Sequence, residues 1–557
     1  MKKRLAYLLL TFLMLLPAFA AAATPDVRIS YESSQETDDI SWYRIDNANY
    51  YLFLPGEYDL SRAVFSLRNV SSLIHRESGQ TIASGDSAAF LTPGDHVFTL
   101  NGHKTTLHVM QGSPDLPVLY ITTESGSLTK IHKDKDNKEA GELIFVGSDG
   151  AIQYQGALEH IKCRGNSSMT FAKKNYQIKL ETGTDLMGMG KAKRWILTGN
   201  YRDKSLLRNQ FLYDMADTIG LPYTPEHTSA EVYINNEYQG VYLFSEKIEI
   251  DGDRVDIANL EKATEDLNPM APEDSPLVGS RTSKEGKYKA YDITRDPEDI
   301  TGGYLVEYES YPVRYKEDPS AYTTSHGSIL VVQSPEYASE AQMEYVSGKL
   351  QAFENAIFAK DGVDARSGLH YAEIVDLPSL VRKYLMEEFS KNYDGNSSSM
   401  YFFKPQDSVS TLFYAGPVWD YDSTFGSYAR EDNKKNVLSS QGLWIASSSE
   451  KKHWWPALYK QADFKAAVVA EWNARMKPAV EILLGLREAP EDGSLRSLQD
   501  YAAAIEASAA MNLVRWPRPA NPSAVANTGV SLRENIAQLT TFIQGRYDFL
   551  CQEWATP

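Results

Sequence analysis

Strand-like and helical patterns occupy separate stretches of this 557-residue chain. From about residue 26 to residue 111, short apolar runs alternate with turn residues at close intervals, as at Pro55-Gly56. Beyond residue 455 the apolar residues recur at helical spacing in Ala-rich stretches. This segregation predicts an α+β fold, and the length predicts two or more domains.

The N-terminus has the pattern of a secretory signal peptide. Met1-Lys2-Lys3-Arg4 is basic, residues 5–19 are apolar, and small residues follow. A basic start, a short apolar run and a small-residue cleavage site predict a signal peptide over residues 1–23, cut between Ala20 and Thr24. The alternative is an uncleaved membrane anchor, which would need a longer run of about 20 apolar residues. We therefore expect a protein that is secreted, periplasmic or on the cell surface.

The net charge restricts the classes of binding partner, and the cysteine content restricts the disulfides. The formal net charge is −18, and this disfavours nucleic acid because phosphate binding needs a basic surface. A divalent cation or a basic protein remains compatible with that charge. Cys163 and Cys551 are the two cysteines, too few for a disulfide framework, and whether they pair stays open.

The first part of the chain predicts a small Ig-like β-sandwich over residues 25–112. Its apolar runs are short and close together, and no catalytic constellation falls within it. Gly112-Ser113-Pro114 is the expected boundary. A second domain is therefore predicted over residues 114–557.

The second domain begins with strand patterns and ends with helical ones. Lys173 to Leu180 alternates polar and apolar residues, and residues 231–244 resemble a hairpin about an Asn-Asn turn. Residues 262–300 are polar and rich in Pro and Gly, which predicts an insertion or loop. The helices expected from the spacing of apolar residues include 206–219, 339–358 and 377–390.

Three aspartates follow apolar stretches in the centre of the chain. Asp394 comes after the helical pattern at 377–390, and Asp420 and Asp422 follow Val418-Trp419. Phosphoryl transfer needs one carboxylate to orient the attacking hydroxyl and others to hold metal ions. The simpler alternatives are an Asx turn at Asp394 and carboxylates that cap a loop or bridge to Arg208.

Basic and small residues precede these aspartates in the chain. Arg164-Gly165-Asn166-Ser167-Ser168 forms a Gly-containing turn, and Lys173 and Lys174 begin the next strand. A strand lysine can contact nucleotide phosphates, and a turn of small residues can offer N–H groups to them. Strand-end lysines are more often simply solvated, so this signal is weak alone.

Taken together, these motifs resemble the CotH family, the spore coat protein H-type atypical protein kinases. The resemblance covers residues 116–426 in detail. The matching motifs are Arg164-Gly165-Asn166-Ser167-Ser168 with Lys173-Lys174-x-Tyr176, Asp203-x-x-x-x-Arg208-Asn209, Tyr233-Ile234-Asn235-x-Glu237-Tyr238-x-Gly240-Val241-Tyr242, Asn392-x-Asp394, and Trp419-Asp420-x-Asp422-x-Thr424-Phe425-Gly426.

The resemblance implies a kinase-like fold with a β-rich N-lobe and a helical C-lobe. It implies an exported protein that moves the ATP γ-phosphoryl group to Ser or Thr of surface or secreted proteins, with Mg²⁺ or Mn²⁺. Asp394 is similar to the catalytic aspartate, and Asp420 with Asp422 to the metal ligands. Lys173 or Lys174 is similar to the phosphate-binding lysine. By the same resemblance, Arg164 and Asn166 are expected to bind the cofactor.

The chain departs from the ordinary kinase pattern in three ways. It has no G-x-G-x-x-G loop, Ser399 stands where the second metal-binding Asn is expected, and helix 206–219 offers no Glu for the lysine. Glu246 is an unassigned candidate for that Glu. Two other classes therefore stay open: an inactive surface or matrix protein that keeps the fold for binding, and a glycoside hydrolase with paired carboxylates.

Overall fold

The computed structural model describes residues 24–31, 38–283, 286–309, 311, 313–428, 434–450, 452–517 and 526–555. Sheets and helices both contribute to the fold, so the prediction of a mixed α and β chain is confirmed. The predicted signal peptide lies outside the described residues. The chain divides into two compact units, one of residues up to 54 with 58–110, the other of 55–57 with 111–557.

The first unit contains two antiparallel sheets. Its strands are Asp26–Tyr31 (β1), Ile40–Ser41 (β2), Tyr43–Arg44 (β3), Asn49–Leu54 (β4), Ala63–Arg68 (β5), Leu73–His75 (β6), Gly94–Leu100 (β7) and His103–Gln111 (β8), the last of which ends one residue inside the second unit. One sheet has the order β2-β1-β5 and the other β3-β4-β8-β7-β6. Thr105, Leu107 and Val109 are buried on alternate positions of β8, as expected of a strand with one face in a core.

The second unit begins with a closed barrel. Its strands are Val118–Thr123 (β9), Lys138–Val146 (β10), Ile152–Arg164 (β11), Asn175–Asp185 (β12), Lys191–Thr198 (β13), His227–Ile234 (β14) and Glu237–Glu246 (β15). They close in the order β10-β11-β12-β13-β15-β14-β9. Tyr176, Ile178 and Leu180 point into the barrel core, as their alternation predicts. Closure leaves no free sheet edge, so every strand of the barrel pairs with a neighbour on both sides.

The predicted hairpin is present as β14 and β15. Asn235 and Asn236 form its turn with φ of 53° and 68°. A two-residue turn with both φ values positive matches the twist of the flanking strands, and Asn tolerates that conformation better than most residues.

A seven-stranded sheet follows the barrel. Its strands are Leu277–Ser283 (β16), Gly286–Tyr291 (β17), Tyr304–Tyr308 (β18), Ala321–Thr324 (β19), Ile329–Ser334 (β20), Met400–Lys404 (β21) and Tyr414–Ala415 (β22), in the order β16-β17-β19-β20-β18-β21-β22.

The prediction of a loop over residues 262–300 is wrong. That segment contains the end of a helix and the β16–β17 hairpin, whose second strand pairs with β19. The second strand of the hairpin pairs with β19, which lies more than 30 residues further along the chain. The polar residues of the hairpin do not alternate with apolar ones across both strands, so sequence reasoning could not detect these two strands.

Most helices of the described residues follow the barrel in the chain. The helices are Arg208–Thr218 (α1), Leu260–Leu267 (α2), Arg314–Glu317 (α3), Glu340–Phe358 (α4), Leu377–Ser390 (α5), Lys434–Val437 (α6), Trp454–Leu458 (α7), Ala462–Glu471 (α8), Lys477–Leu483 (α9), Leu498–Arg515 (α10) and Leu532–Glu553 (α11). The helices predicted over 339–358 and 377–390 are confirmed as α4 and α5. Ser339 begins α4 with a capping box, and Asp376 caps the first turn of α5.

Cys163 and Cys551 are both free in this structure. Cys163 is buried in the barrel, while Cys551 is half-buried near the end of α11. Among the helices of the described ranges, none combines the length and apolar character that a membrane crossing requires.

Candidate active site

The second unit contains an open cleft of about 710 Å³. The end of β11, the turn before α1, strand β18 and the segments around residues 394 and 420 all contribute to its lining. Five of the predicted site residues are among those that line it: Arg164, Asn166, Asp394, Asp420 and Asp422.

Asp394 follows the left-handed end of α5. Lys391 closes the helix with φ of 47°, and the Asn392 side chain then accepts the Asp394 N–H at 3.0 Å. Trp444 Nε1 donates to the Asn392 carbonyl at 2.7 Å. The Asx turn in this segment is therefore made by Asn392, which leads the chain into the cleft at Asp394.

Helix α1 holds the segment that carries Asp420 and Asp422. Asn209 Oδ1 accepts the N–H of Tyr421 at 2.7 Å, and Arg208 Nε donates to the Thr424 carbonyl at 3.2 Å. Asp420 itself has φ of +62°. Such a conformation persists in a non-glycine residue only where the surroundings fix it, and such residues concentrate at functional sites.

Arg208 does not bridge to the cleft aspartates. Its guanidinium forms a fully buried ion pair with Asp203 and lies at the start of α1. The alternative in which Arg208 neutralises Asp420 or Asp422 is therefore not realised.

The three aspartates repel one another. Burial, followed by the carboxylates of Asp422 and Asp394, raises the pKa of Asp420 to about 8. Arg164 and Arg202 act in the opposite direction, but they do not offset the burial and the like charges. Clustered carboxylates of this kind favour a bound cation, because a cation removes the repulsion.

Four cations line the same cleft without a carboxylate partner among the described residues, and one of them, Lys135, donates to Asn166 Oδ1 at 3.5 Å. Within the described ranges, Lys162, Arg164 and Arg202 form no ion pair and no side-chain hydrogen bond. Arg164 lies over the Trp419 ring at 4.8 Å. Burial, and then the nearby charge of Lys138, lowers the pKa of Lys162. Unpaired cations beside clustered carboxylates are suited to an anionic ligand that carries metal ions.

Neither Lys173 nor Lys174 lies on the cleft, contrary to the expectation that one of them faces Asp394 and Asp420. Lys173 is buried, and its Nζ donates to the Val241 carbonyl and, at 2.7 Å, to Asn512 Oδ1. Burial lowers its pKa well below the usual value. Lys174 Nζ donates to the Met169 carbonyl at 2.6 Å.

The physical reason is the packing of helix α10 against β15. That helix supplies Asn512, which draws Lys173 away from the cleft and into the interior. The cleft is lined instead by Lys162 and Arg164 from the end of β11 and by Arg202 from the turn before α1. Of the basic residues predicted to bind the cofactor, Arg164 is thus the one that lines the cleft.

Sequence reasoning missed an acidic wall on strand β18 and the segment after it. Glu307 and Glu309 line the cleft and are buried, and burial followed by the Glu307 charge raises the pKa of Glu309 to about 8. Glu309 lies 3.8 Å from the Arg314 guanidinium. A Glu within the apolar run Tyr304-Leu305-Val306-Glu307-Tyr308 was a usable signal, because charged residues are rarely buried without a partner.

A second cavity of about 550 Å³ continues from the cleft. Lys162, Arg164, Tyr401 and Trp419 line both cavities, whereas Arg202 and the three aspartates line only the first. The second cavity adds apolar side chains that the first lacks: Ile248, Ile250 and Leu305. Charged side chains line both cavities, and the shared residues make them one continuous groove.

Two departures from the kinase pattern can now be located. Ser399 lines the cleft with φ of 59°. Glu246 pairs with Arg254. Glu246 is therefore not paired with a lysine in this structure, and the lysine–glutamate pair of ordinary kinases is not formed by these residues.

Comparison with known proteins bears on the same region. The family model described as CotH kinase protein matches residues 161–550, which include Asp394, Asp420 and Asp422 and also Lys162, Arg164 and Arg202. A curated relative, glutamate-1-semialdehyde 2,1-aminomutase of Natranaerobius thermophilus, is 24% identical over 280 residues, which are 47% of this chain and 62% of that protein. The chain thus spans less than two thirds of that relative, and the identity is too low to assign a family.

Proposed function

Because this chain belongs to the CotH kinase protein family, we propose that it transfers the γ-phosphoryl group of ATP to a serine or threonine hydroxyl of a protein. The observation that carries the proposal is the cleft itself. Asp394, Asp420 and Asp422 lie there beside cations that have no acidic partner among the described residues. Phosphoryl transfer needs both kinds of group within the length of one nucleotide.

The nucleotide is proposed to lie in the cleft with its base against Trp419, whose half-buried ring offers a surface on which a purine can pack. Lys162 and Arg164 line the same cleft, and we assign the phosphates to them. Asn166, next to them on the Gly-containing turn, is a further candidate ligand of the phosphates.

Asp420 and Asp422 are the proposed ligands of Mg²⁺ or Mn²⁺. No group of three His, Cys, Asp or Glu side chains in the described ranges could hold a metal ion by itself. Two carboxylates fit Mg²⁺ nonetheless, because this ion commonly binds through one or two carboxylates and the phosphates of its nucleotide. When bound, it supplies positive charge to the phosphate oxygens.

Asp394 is the proposed residue that orients the acceptor. Its carboxylate accepts the hydroxyl proton as the acceptor oxygen bonds to the γ-phosphorus and the bond to the β-phosphate oxygen breaks. ADP leaves, and the acceptor keeps the phosphoryl group as an ester. The Asx turn of Asn392 holds Asp394 in place for this step.

On this proposal the barrel corresponds to the β-rich lobe of a kinase, and the second sheet with its helices to the other lobe. The N-terminal sequence supports export, so the acceptors would be surface or secreted proteins.

The test is incubation of the protein with labelled ATP, Mn²⁺ or Mg²⁺ and a mixture of Ser- and Thr-containing proteins. Wild-type protein is expected to label itself or an acceptor, on residues that acid hydrolysis identifies as phosphoserine or phosphothreonine. Protein that binds ATP without labelling anything would favour the second candidate, an inactive surface protein with a kinase-like fold. The positions of Ser399 and of both lysines favour that candidate.

A further inference from the structure

Arg202 is a cation whose position in the cleft no motif explains. It lies in the turn between β13 and α1 and lines the first cavity. Its guanidinium lies between two aromatic rings, 4.8 Å from Phe171 and 4.4 Å from Tyr428. Across the parts of the chain that the structure describes, that guanidinium has no acceptor. Five N–H donors on a plane fixed by two rings are therefore available to a ligand.

The contacts of Arg202 place it near the segment that carries Asp394. The Tyr428 ring that covers it also meets the ring of Tyr393 at 5.1 Å, and Tyr393 directly precedes Asp394. Arg164, in contrast, lies on Trp419 and lines both cavities. The two arginines thus contact different segments of the cleft: Arg164 packs on Trp419, which precedes Asp420, and Arg202 packs on the ring that meets Tyr393, which precedes Asp394.

We infer that Arg202 is a catalytic residue that binds the oxygens of the γ-phosphoryl group during its transfer; this inference rests on the proposed function. As the bond from the γ-phosphorus to ADP breaks and the bond to the acceptor oxygen forms, the guanidinium donates hydrogen bonds to the non-bridging oxygens. It stays protonated throughout, and the acceptor proton goes to Asp394. The aromatic rings fix the guanidinium beforehand, so little conformational freedom is lost when the phosphate binds.

The experiment compares Arg202→Ala and Arg202→Lys with wild type, using Arg487→Ala as a matched control on an exposed ion pair. Binding of ATP and of ADP is measured by calorimetry with Mn²⁺, and phosphoryl transfer is measured at saturating ATP. Arg202→Ala is expected to lower kcat by at least about 100-fold and to weaken ATP binding while ADP binding changes less than about threefold. Added guanidinium ion should restore part of the lost rate.

A purely structural role gives a different outcome. If Arg202 only stabilised its loop, Arg202→Ala would lose ATP and ADP affinity equally, and added guanidinium ion would restore no activity. Either result overturns the inference. A kcat of Arg202→Ala within about fivefold of wild type also overturns it. Should Arg202→Ala fail to fold in a thermal melt, Arg202→Lys keeps the charge and the stem and is expected to lose rate without losing the fold.

The two proposals can fail separately. A wild-type protein that binds ATP but transfers nothing removes the proposed function and with it a catalytic role for Arg202. A transferring protein whose Arg202→Ala variant keeps its kcat or loses ATP and ADP affinity equally overturns the role of Arg202 alone. A wild-type protein that binds neither nucleotide overturns both.

Discussion

Asn209 accepts the backbone N–H of Tyr421 through its side-chain oxygen at 2.7 Å. This bond joins the first turn of α1 to the residue directly after Asp420. The same side chain donates to Asn200 Oδ1 at 3.0 Å, in the segment that also carries Arg202. One buried amide thus connects the proposed metal-binding segment to the turn with the second arginine of the cleft.

Replacement of Asn209 by Ala should therefore impair the site as well as the fold. The loss leaves the Tyr421 N–H buried without an acceptor, which we expect to cost about 1–3 kcal/mol of unfolding free energy. Misplacement of Asp420 should lower phosphoryl transfer by about tenfold to 100-fold. Gln210→Ala is the matched control, since Gln210 is also buried on α1 but accepts from Ser229, away from the cleft. Equal losses of activity in both variants would contradict the prediction.

Asp420→Asn should abolish most phosphoryl transfer without unfolding the protein. Asn is close in volume and tolerates the φ of +62° at this position, whereas the metal loses a charged ligand. We expect a fall of at least about 100-fold in transfer and little change in melting temperature. Asp115→Asn provides the control, because Asp115 is exposed and has φ of 59°. Transfer at the wild-type rate by Asp420→Asn would exclude this residue as an essential ligand.

Phosphate binding should depend on Arg164 more than on Lys174. Arg164→Gln is expected to weaken ATP binding by about tenfold or more, since charge-assisted hydrogen bonds contribute roughly 1.5–3 kcal/mol. Lys174→Gln should change ATP affinity by less than about threefold, because its Nζ is bonded to the Met169 carbonyl and does not line the cleft. Calorimetric titration of both variants with Mn²⁺ and ATP checks this. The reverse order of effects would restore the lysine as the phosphate ligand.

Glu231 should make the protein less stable as the pH rises. Burial raises its pKa from 4.5 to about 8 in the folded state, where Ser508 Oγ donates to it at 2.6 Å. Between those two values the unfolded chain is deprotonated while the folded one keeps the proton. The free energy of unfolding therefore falls by up to about 1.4 kcal/mol per pH unit from this group, and the contribution is constant above pH 8.

Glu231→Gln should remove that dependence. Glutamine stays neutral, so its advantage over wild type should grow from pH 5 to pH 8 in urea unfolding experiments. Glu488→Gln, on an exposed side chain, serves as the control and should follow wild type at every pH. A constant difference between Glu231→Gln and wild type would show that Glu231 does not titrate on unfolding.

Local patterns were enough to find most elements of the second unit. The alternation at Tyr176, Ile178 and Leu180 and the Asn235-Asn236 turn both depend on neighbours in the chain, and both were identified. The β16–β17 hairpin was missed because its ladder is completed by β19 from a distant part of the chain. Period and turn chemistry report local structure, and they carry no information on distant partners.

The sequence by itself determined the mixed α and β character of this protein, its family, and the order of motifs that carry Asp394, Asp420 and Asp422. Tertiary structure alone decided which cations accompany those carboxylates. Lys173 turns inward because Asn512, 339 residues further along the chain, accepts a hydrogen bond from its Nζ, while Arg202 is held in the cleft by the rings of Phe171 and Tyr428. A side chain's direction depends on such long-range packing, and a motif fixes only its position in the chain.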